Sequence, residues 1–224
     1  KFIATGSADK TIKLWRRSDG RETRTYSGNK SGINYVEINN QGTMILSVSD
    51  DGIVIIWDLL TGNVLKQLNL PEDKFNCASF HPDGRSIIAG TRESGIMVFD
   101  VQSWNKKGDF KAVKKDLYSQ EGFDYPESKT VRYSADGQYV VAGVADYTVI
   151  LWDAVTGKEL RKYKNSNSNC TSCFVEAQIS GDNKYIISSY SDSIKVFNRE
   201  TGKLIRQMYG QGGTPESLQI SSDS

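Results

Sequence analysis

The sequence is poor in the residues on which catalysis and metal binding usually rest. It has one histidine, His81, and three cysteines, Cys77, Cys170 and Cys173, in 224 residues. A single imidazole excludes a His-rich metal centre and leaves little for general acid–base work. Three scattered thiols cannot build a disulfide framework and point to a reducing, intracellular compartment. Neither sign of charge is in excess: 28 Lys plus Arg face 27 Asp plus Glu. That balance argues against a nucleic-acid backbone or an anionic membrane as the main partner. No apolar run approaches the ~20 residues that cross a bilayer; the longest is Ile53 to Trp57, with Leu59 and Leu60 after one Asp. The first ten residues, KFIATGSADK, hold no long apolar stretch and do not read as a secretory signal. Apolar spacing of helical period is nearly absent, and four Pro and 20 Gly cluster at turns.

What the chain does have is a repeat. Small residues, an acidic turn, an alternating apolar strand and an aromatic recur five times: ATGSADKTIKLW, SVSDDGIVIIWD, AGTRESGIMVFD, AGVADYTVILWD and SSYSDSIKVFN. The aromatics Trp15, Trp57, Phe99, Trp152 and Phe197 stand 42, 42, 53 and 45 residues apart. Before each core after the first lies an alternating strand and a turn, in YVEINNQG, CASFHPDG, VRYSADG and AQISGDN. Gly and Asn there supply the positive φ of a tight hairpin. After the aromatic come a second turn and a polar strand, as in LLTGNVLKQL, AVTGKELRKY and RETGKLIRQM. Each unit thus reads as four antiparallel strands joined by three hairpins, which is the content of a β-propeller blade.

These five in-phase copies resemble the WD-repeat (WD40-type) family over nearly the whole chain. The resemblance implies an all-β propeller domain over 1–224, with about five repeat units forming an arc of a larger, seven-bladed ring. In that arc the first unit lacks its inner strand and the last has only its inner strand. A five-bladed ring would instead pair Gln219 with the stretch around Ile3. In the family, an Asp six residues before the aromatic ties the turn to the strands; here that is Asp9, Asp51 and Asp146, with Glu93 in the third copy. In the fifth, Ser191 holds the spacing and Asp192 comes one place late, so a shortened turn is expected. Trp15, Trp57 and Trp152 close their strands and pack between sheets, each worth on the order of 2–3 kcal/mol of burial. The family's Gly-His imidazole is missing throughout: its places hold Asn29, Pro71, Asp124, Cys170 and Gln211. Asn29 and Gln211 could donate in its stead.

No chemical constellation accompanies the repeats. Cys170-Thr-Ser-Cys173 is a C-x-x-C without the second pair or His residues that zinc requires, so both thiols read as small strand residues. Cys77 reads as core, and His81, in FHPDG, as a surface turn residue. SGNKSG lacks the spacing of a phosphate loop. Asn29-Lys-Ser and Asn169-Cys-Thr are formal glycosylation acceptors that carry no weight without a secretory route. The reading is therefore a protein that is not an enzyme and needs no cofactor, metal or small-molecule substrate.

Function is sought instead in surfaces. The interval 104–127 holds about eleven residues more than its counterparts, basic in its first half and acidic in its second. It reads as an insertion that contacts a neighbour through Trp104, Phe110 and Tyr118, since insertions map to loops and loops carry function. The family resemblance adds a second surface, the face built from the blade-to-blade loops and second hairpin turns, which would carry Lys30, Asp50, Glu72, Lys74, Arg92, Tyr125 and Glu127. Mixed charge there suits a protein partner. The expectation is a protein–protein interaction scaffold in a multiprotein assembly, in cytoplasm or cytoskeleton, with a cilium or the nucleus as alternatives. The alternative function is a substrate-recognition propeller of an enzyme complex such as a ubiquitin ligase.

Overall fold

A computed structural model describes residues 1–70, 72–92, 95–110, 128–144, 148–164, 175–190, 193–210, 218 and 220. Among them there is no helix, and nineteen strands form five antiparallel sheets. The first sheet has three strands, β1 (Phe2–Gly6), β2 (Thr11–Arg16) and β3 (Glu22–Ser27). The second is β4 (Ile33–Ile38), β5 (Met44–Ser49), β6 (Val54–Asp58) and β7 (Val64–Leu68). The third is β8 (Phe75–Phe80), β9 (Ser86–Thr91), β10 (Ile96–Asp100) and β11 (Lys106–Phe110). The fourth is β12 (Ser128–Tyr133), β13 (Tyr139–Val144), β14 (Thr148–Asp153) and β15 (Glu159–Lys164). The fifth is β16 (Glu176–Ile179), β17 (Tyr185–Tyr190), β18 (Ser193–Asn198) and β19 (Leu204–Tyr209). Each strand pairs with its neighbour in sequence, so every connection within a sheet is a hairpin, as the turn residues predict. Three strands in the first sheet and four in the rest match the expected phase of the repeat.

The chain divides into two compact units, Lys1–Gly108 and Asp109–Ser224. In the first unit, Ile12, Leu14 and Tyr26 of one sheet meet Ile45, Ile55 and Trp57 of the next. The other side of that second sheet, Leu46, Val48, Val54 and Ile56, meets Phe75, Ala78, Ile87 and Phe99 of the third. In the second unit Val141, Val149, Leu151 and Tyr163 face Val175, Ala177, Ile186 and Phe197. The middle strands β5 and β14 are buried on both faces, whereas outer strands such as Glu159–Lys164 alternate.

Aromatics lock neighbouring sheets in a repeated manner. Tyr26 packs edge-on against Trp57 of the next sheet at 5.9 Å, and Tyr163 packs at a tilt against Phe197 of the next sheet at 5.5 Å. The Tyr26 hydroxyl donates to the Leu59 carbonyl at 2.6 Å, and the Tyr163 hydroxyl donates to the Arg199 carbonyl at the same distance. Burial pushes the Tyr163 phenol up to about 12. Gly143 is required where sheets come closest, because a Cβ there would lie 2.0 Å from the Val175 carbonyl oxygen.

The fifth unit is shortened as expected. Trp15 pairs with Ile3, twelve residues earlier, but Phe197 pairs with Ile186, only eleven earlier. Ser191 and Asp192 themselves, like Glu93, Asp146, Pro71, Asp124, Cys170, Cys173 and Gln211, lie outside the described residues. So does Gln219, on which the test of ring size falls. Its neighbours follow the repeat: Gln178 of β16 donates to the Leu218 carbonyl and accepts from the Ile220 N–H at 3.1 Å. In the first unit Glu37 of β4 accepts from the Phe80 N–H of the next inner strand at 3.3 Å.

Candidate functional site: a loop rim in the first unit

Asp9 and Asp51, the turn aspartates among the described residues, accept hydrogen bonds within their own turns. Asp9 accepts from the Thr11 N–H and hydroxyl at 2.9 and 2.7 Å, bonds that hold its carboxyl below the usual range. Asp51 accepts from the Ser49 hydroxyl at 2.6 Å. The Asp after the aromatic builds a second turn. Asp58 and Asp153 accept from the N–H and hydroxyl of Thr61 and Thr156, and Asp100 from those of Ser103.

Trp57 and Trp152 are buried, at 1% and 0% exposure, while Trp15 is half-buried. The Trp15 indole donates to the Thr5 hydroxyl at 2.9 Å, and the Trp57 indole to the Ser47 hydroxyl at 3.0 Å. Ser47 in turn donates to Asn29 Oδ1 at 3.4 Å, so Asn29 stands in the family's imidazole place and joins the network. It joins as an acceptor rather than the expected donor, and its buried Nδ2 has no partner. Trp152 lacks even the hydroxyl: Ala142 occupies the place of Thr5 and Ser47, and the buried indole N–H is unpartnered.

The loops at the starts of the inner strands form a rim tied by backbone hydrogen bonds. The Ile33 N–H donates to the Ser7 carbonyl at 3.1 Å, and the Asp50 N–H to the Gly32 carbonyl at 2.9 Å. The Phe75 N–H donates to the Gly52 carbonyl at 3.1 Å, and the Arg92 N–H to the Lys74 carbonyl at 2.9 Å. This ladder strings Asp50, Lys74 and Arg92 along one rim, with Lys30 two residues from Gly32 and Glu72 two from Lys74. All five side chains are exposed. Two glycines clear space for the charges. A Cβ on Gly52, at φ +77°, would lie 2.4 Å from Lys74 Cβ, and one on Gly32 would lie 2.9 Å from Asp50 Oδ2. Tyr125 and Glu127 fall outside the described residues.

Sequence reasoning missed Asn34 and Asn76. The pairing register shifts between Ile33 and Tyr35 and again between Phe75 and Cys77, so each inner strand carries one extra residue at its start. Such a bulge re-aims a side chain at the end of a ladder. A polar residue interrupting apolar alternation just after Gly32-Ile and Lys74-Phe was the available signal. The third case, between Ser128 and Thr130, is in the second unit.

The insertion residues are placed otherwise than expected. Phe110 is 3% exposed on β11 and packs edge-on against Trp152 at 6.0 Å, so it is core and cannot serve a partner. Its position in a regular strand moves the start of any irregular interval beyond residue 110. Trp104 is half-buried against the first unit's core and takes φ 60° in the turn position where Gly62, Gly157 and Gly202 stand in the other units. Tyr118 lies outside the described residues. Cys77 is buried with its thiol free of a disulfide. His81 Nδ1 lies 2.7 Å from Asp83 in the hairpin turn, a local turn contact. Among the described residues no group of three or more His, Cys, Asp or Glu is placed to hold a metal ion, and no helix is long and apolar enough to cross a membrane.

Residues 59–222 match the family described as "Nucleolar protein 10-like, N-terminal domain", and residues 1–16 and 20–58 match "WD domain, G-beta repeat". Among curated proteins, the chain is 27% identical over 209 residues to the WD repeat-containing protein SL1-17 of Schistosoma mansoni, covering 92% of this chain and 64% of that one. It is 26% identical over 180 residues to the periodic tryptophan protein 2 homolog of Schizosaccharomyces pombe, covering 75% of this chain and 21% of that one. It is 28% identical over 232 residues to the pre-mRNA-processing factor 19 homolog 2 of Arabidopsis thaliana, covering 100% of this chain and 41% of that one. The chain thus spans between about a fifth and two thirds of the length of these relatives.

Proposed function

Because the chain belongs to the WD-repeat β-propeller proteins, and over residues 59–222 to the nucleolar protein 10-like N-terminal-domain family, we propose that it is a non-catalytic scaffold that binds other proteins of a multiprotein assembly through its loop rim. The observation that carries this reading is the backbone ladder joining Asp50, Lys74 and Arg92. A rim held by main-chain bonds presents fixed charges on stiff loops, which lowers the ordering cost of binding. Exposed charges of both signs set partner choice and association rate more than raw affinity. The names of the matching family and of one relative speak of the nucleolus and of pre-mRNA processing, respectively. We carry over a nucleolar address rather than a ciliary one; a fluorescent fusion concentrated in cytoplasm or cilium overturns that part.

The binding claim is tested by affinity purification of the intact protein with quantitative mass spectrometry. Wild type is compared with Asp50→Lys and Lys30→Glu. The proposal expects named partners to fall away in the rim variants while thermal melting is unchanged. Retention of every partner by both folded variants contradicts it.

A further inference from the structure

The near-balance of charge over the whole chain hides a local excess on the hairpin between β2 and β3. From Lys13 to Arg24, the cations Lys13, Arg16, Arg17, Arg21 and Arg24 meet only Asp19 and Glu22. In the other units the residue after the aromatic is Asp58, Asp100, Asp153 or Asn198, and its oxygen accepts the N–H and hydroxyl of a Thr or Ser further along the turn. Here the polarity is inverted. Arg16 stands in that place, and Asp19, in the Thr place, takes the Arg16 guanidinium and the Arg21 N–H, each at 3.1 Å. The Gly20 N–H closes the turn on the Arg16 carbonyl at 2.9 Å, as the Gly62 N–H does on Asp58, so the hairpin itself does not require the exchange. Both carboxylates are committed, since Glu22 holds the Lys13 ammonium at 2.8 Å and the Thr25 hydroxyl at 2.6 Å. Arg24 is held by the Thr61 carbonyl at 2.9 Å, beside Asp58. Arg17 and Arg21 are exposed and take part in no ion pair or side-chain hydrogen bond among the described residues, which include every position from 1 to 70. An aromatic stands beside them. Phe2 lies directly across from Arg16 in the β1–β2 ladder, on the same face as Ala4 and Leu14, which pack against the next sheet. That face is covered by a described sheet, yet Phe2 is 39% exposed at its margin.

We propose that this hairpin binds a single-stranded polynucleotide, with Arg17 and Arg21, joined by Arg16, receiving phosphates and the Phe2 ring stacking a base. Guanidinium forks match phosphate oxygens two at a time. Cations set beside an exposed aromatic are the composition of a platform for single strands. An acidic peptide fits less well: its carboxylates offer the turn only what Asp19 and Glu22 already supply, and they leave the Phe2 ring unused. The Arg16–Asp19 pair is itself exposed, at 53% and 36%, so it exchanges readily for a phosphate. A net charge near zero weakens attraction at long range but not contact at one hairpin, because salt screens charges beyond about 10 Å. The site goes beyond the rim reading and does not depend on it: β2 leads away from the rim turn at Ser7 and ends on this hairpin.

The test titrates the intact protein into labelled dodecauridylate, dodecadeoxythymidylate and a dodecaglutamate peptide, read by fluorescence anisotropy at about 50 mM and about 200 mM salt. The expected result is binding of a polynucleotide at the lower salt, with Kd raised about tenfold or more by the double variant Arg17→Glu, Arg21→Glu. The neutral double variant Arg17→Gln, Arg21→Gln also weakens binding and flattens its dependence on salt, because fewer counterions are released. Phe2→Leu, which keeps an apolar side chain, weakens binding severalfold and leaves the salt dependence at its wild-type slope, whereas Phe2→Tyr retains binding. Melting of the variants stays at the wild-type value; if the charge reversal does not fold, the glutamine variant decides. Binding of either strand in this pattern supports the site, and the ratio of the two affinities identifies the sugar. Absence of polynucleotide binding at the lower salt overturns the proposal, as does an unchanged Kd in both charge variants. Equal or tighter binding of the glutamate peptide, with Phe2→Leu silent, overturns it in favour of an acidic protein partner. The rim reading is judged separately, by whether Asp50→Lys and Lys30→Glu release their protein partners, and neither result there moves this one.

Discussion

The energetic weight of this chain rests on a few side chains in repeated places, and they do not carry it equally. Trp57 is buried, packed by Tyr26 and bonded to Ser47. Trp57→Ala is expected to lower stability by roughly 3–5 kcal/mol, read from chemical denaturation. Trp152 is as deeply buried but its indole N–H has no acceptor. An unmet buried donor costs about 1–3 kcal/mol, so Ala142→Ser, which restores the hydroxyl found in sister units, should raise the melting temperature. A fall would show that the space beside Ala142 cannot take an oxygen. Charge also enters at single residues. Bonds from the Ser180 hydroxyl, then from the Lys184 N–H and ammonium, hold the Asp182 carboxyl down to about 2, below its ordinary 3.8. A depressed folded value means that its stabilisation is full above the ordinary value and is lost as pH falls through about 2. Asp182→Ala should therefore melt earlier than wild type near neutrality, with the gap closing towards the acid limit. A constant gap across that range would contradict the assignment.

At the scale of strands and turns, most of the pattern was legible in the residues. Alternation marked the strands, Asp-Gly and Asn-Gln-Gly marked the hairpins, and the late Asp192 foretold the shortened unit. What was not legible depends on partners distant in sequence. A register shift beside Asn34 or Asn76 exists only relative to the neighbouring strand, so no single strand announces it. Trp104 holds a left-handed turn position that glycine fills elsewhere, and nothing in a Trp side chain signals this. Phe110 looked like an insertion aromatic because its strand, KKGDF, is basic and interrupted by Gly108. The sheet partner it needs is what reveals it as core. Removal of 104–127 should consequently abolish cooperative unfolding, because it takes away β11 and the Phe110–Trp152 contact. Phe110→Ala alone should cost about 3–5 kcal/mol. A deletion variant with an unchanged melting curve would refute this.

For the molecule as a whole, the repeat was legible because five in-phase units each bring an aromatic, Trp or Phe, to the same strand end, and the family comparisons agree with it. The candidate site was only partly legible. Lys30, Asp50, Glu72, Lys74 and Arg92 could be placed on loops from the repeat phase, but the backbone ladder and the glycine clearances that turn loose loops into a rim required coordinates. Near-balanced net charge fits a surface that chooses partners by local pattern rather than by a general field. The central claim, that partners dock on this rim, is tested most directly by amide hydrogen exchange of the intact chain, free and bound to a partner that it captures. The account predicts slowed exchange in 28–34, 50–53, 72–76 and 92, with the outer strands β3 and β7 unchanged. Protection of β3 and β7, with the rim exchanging as it does in the free protein, would contradict it.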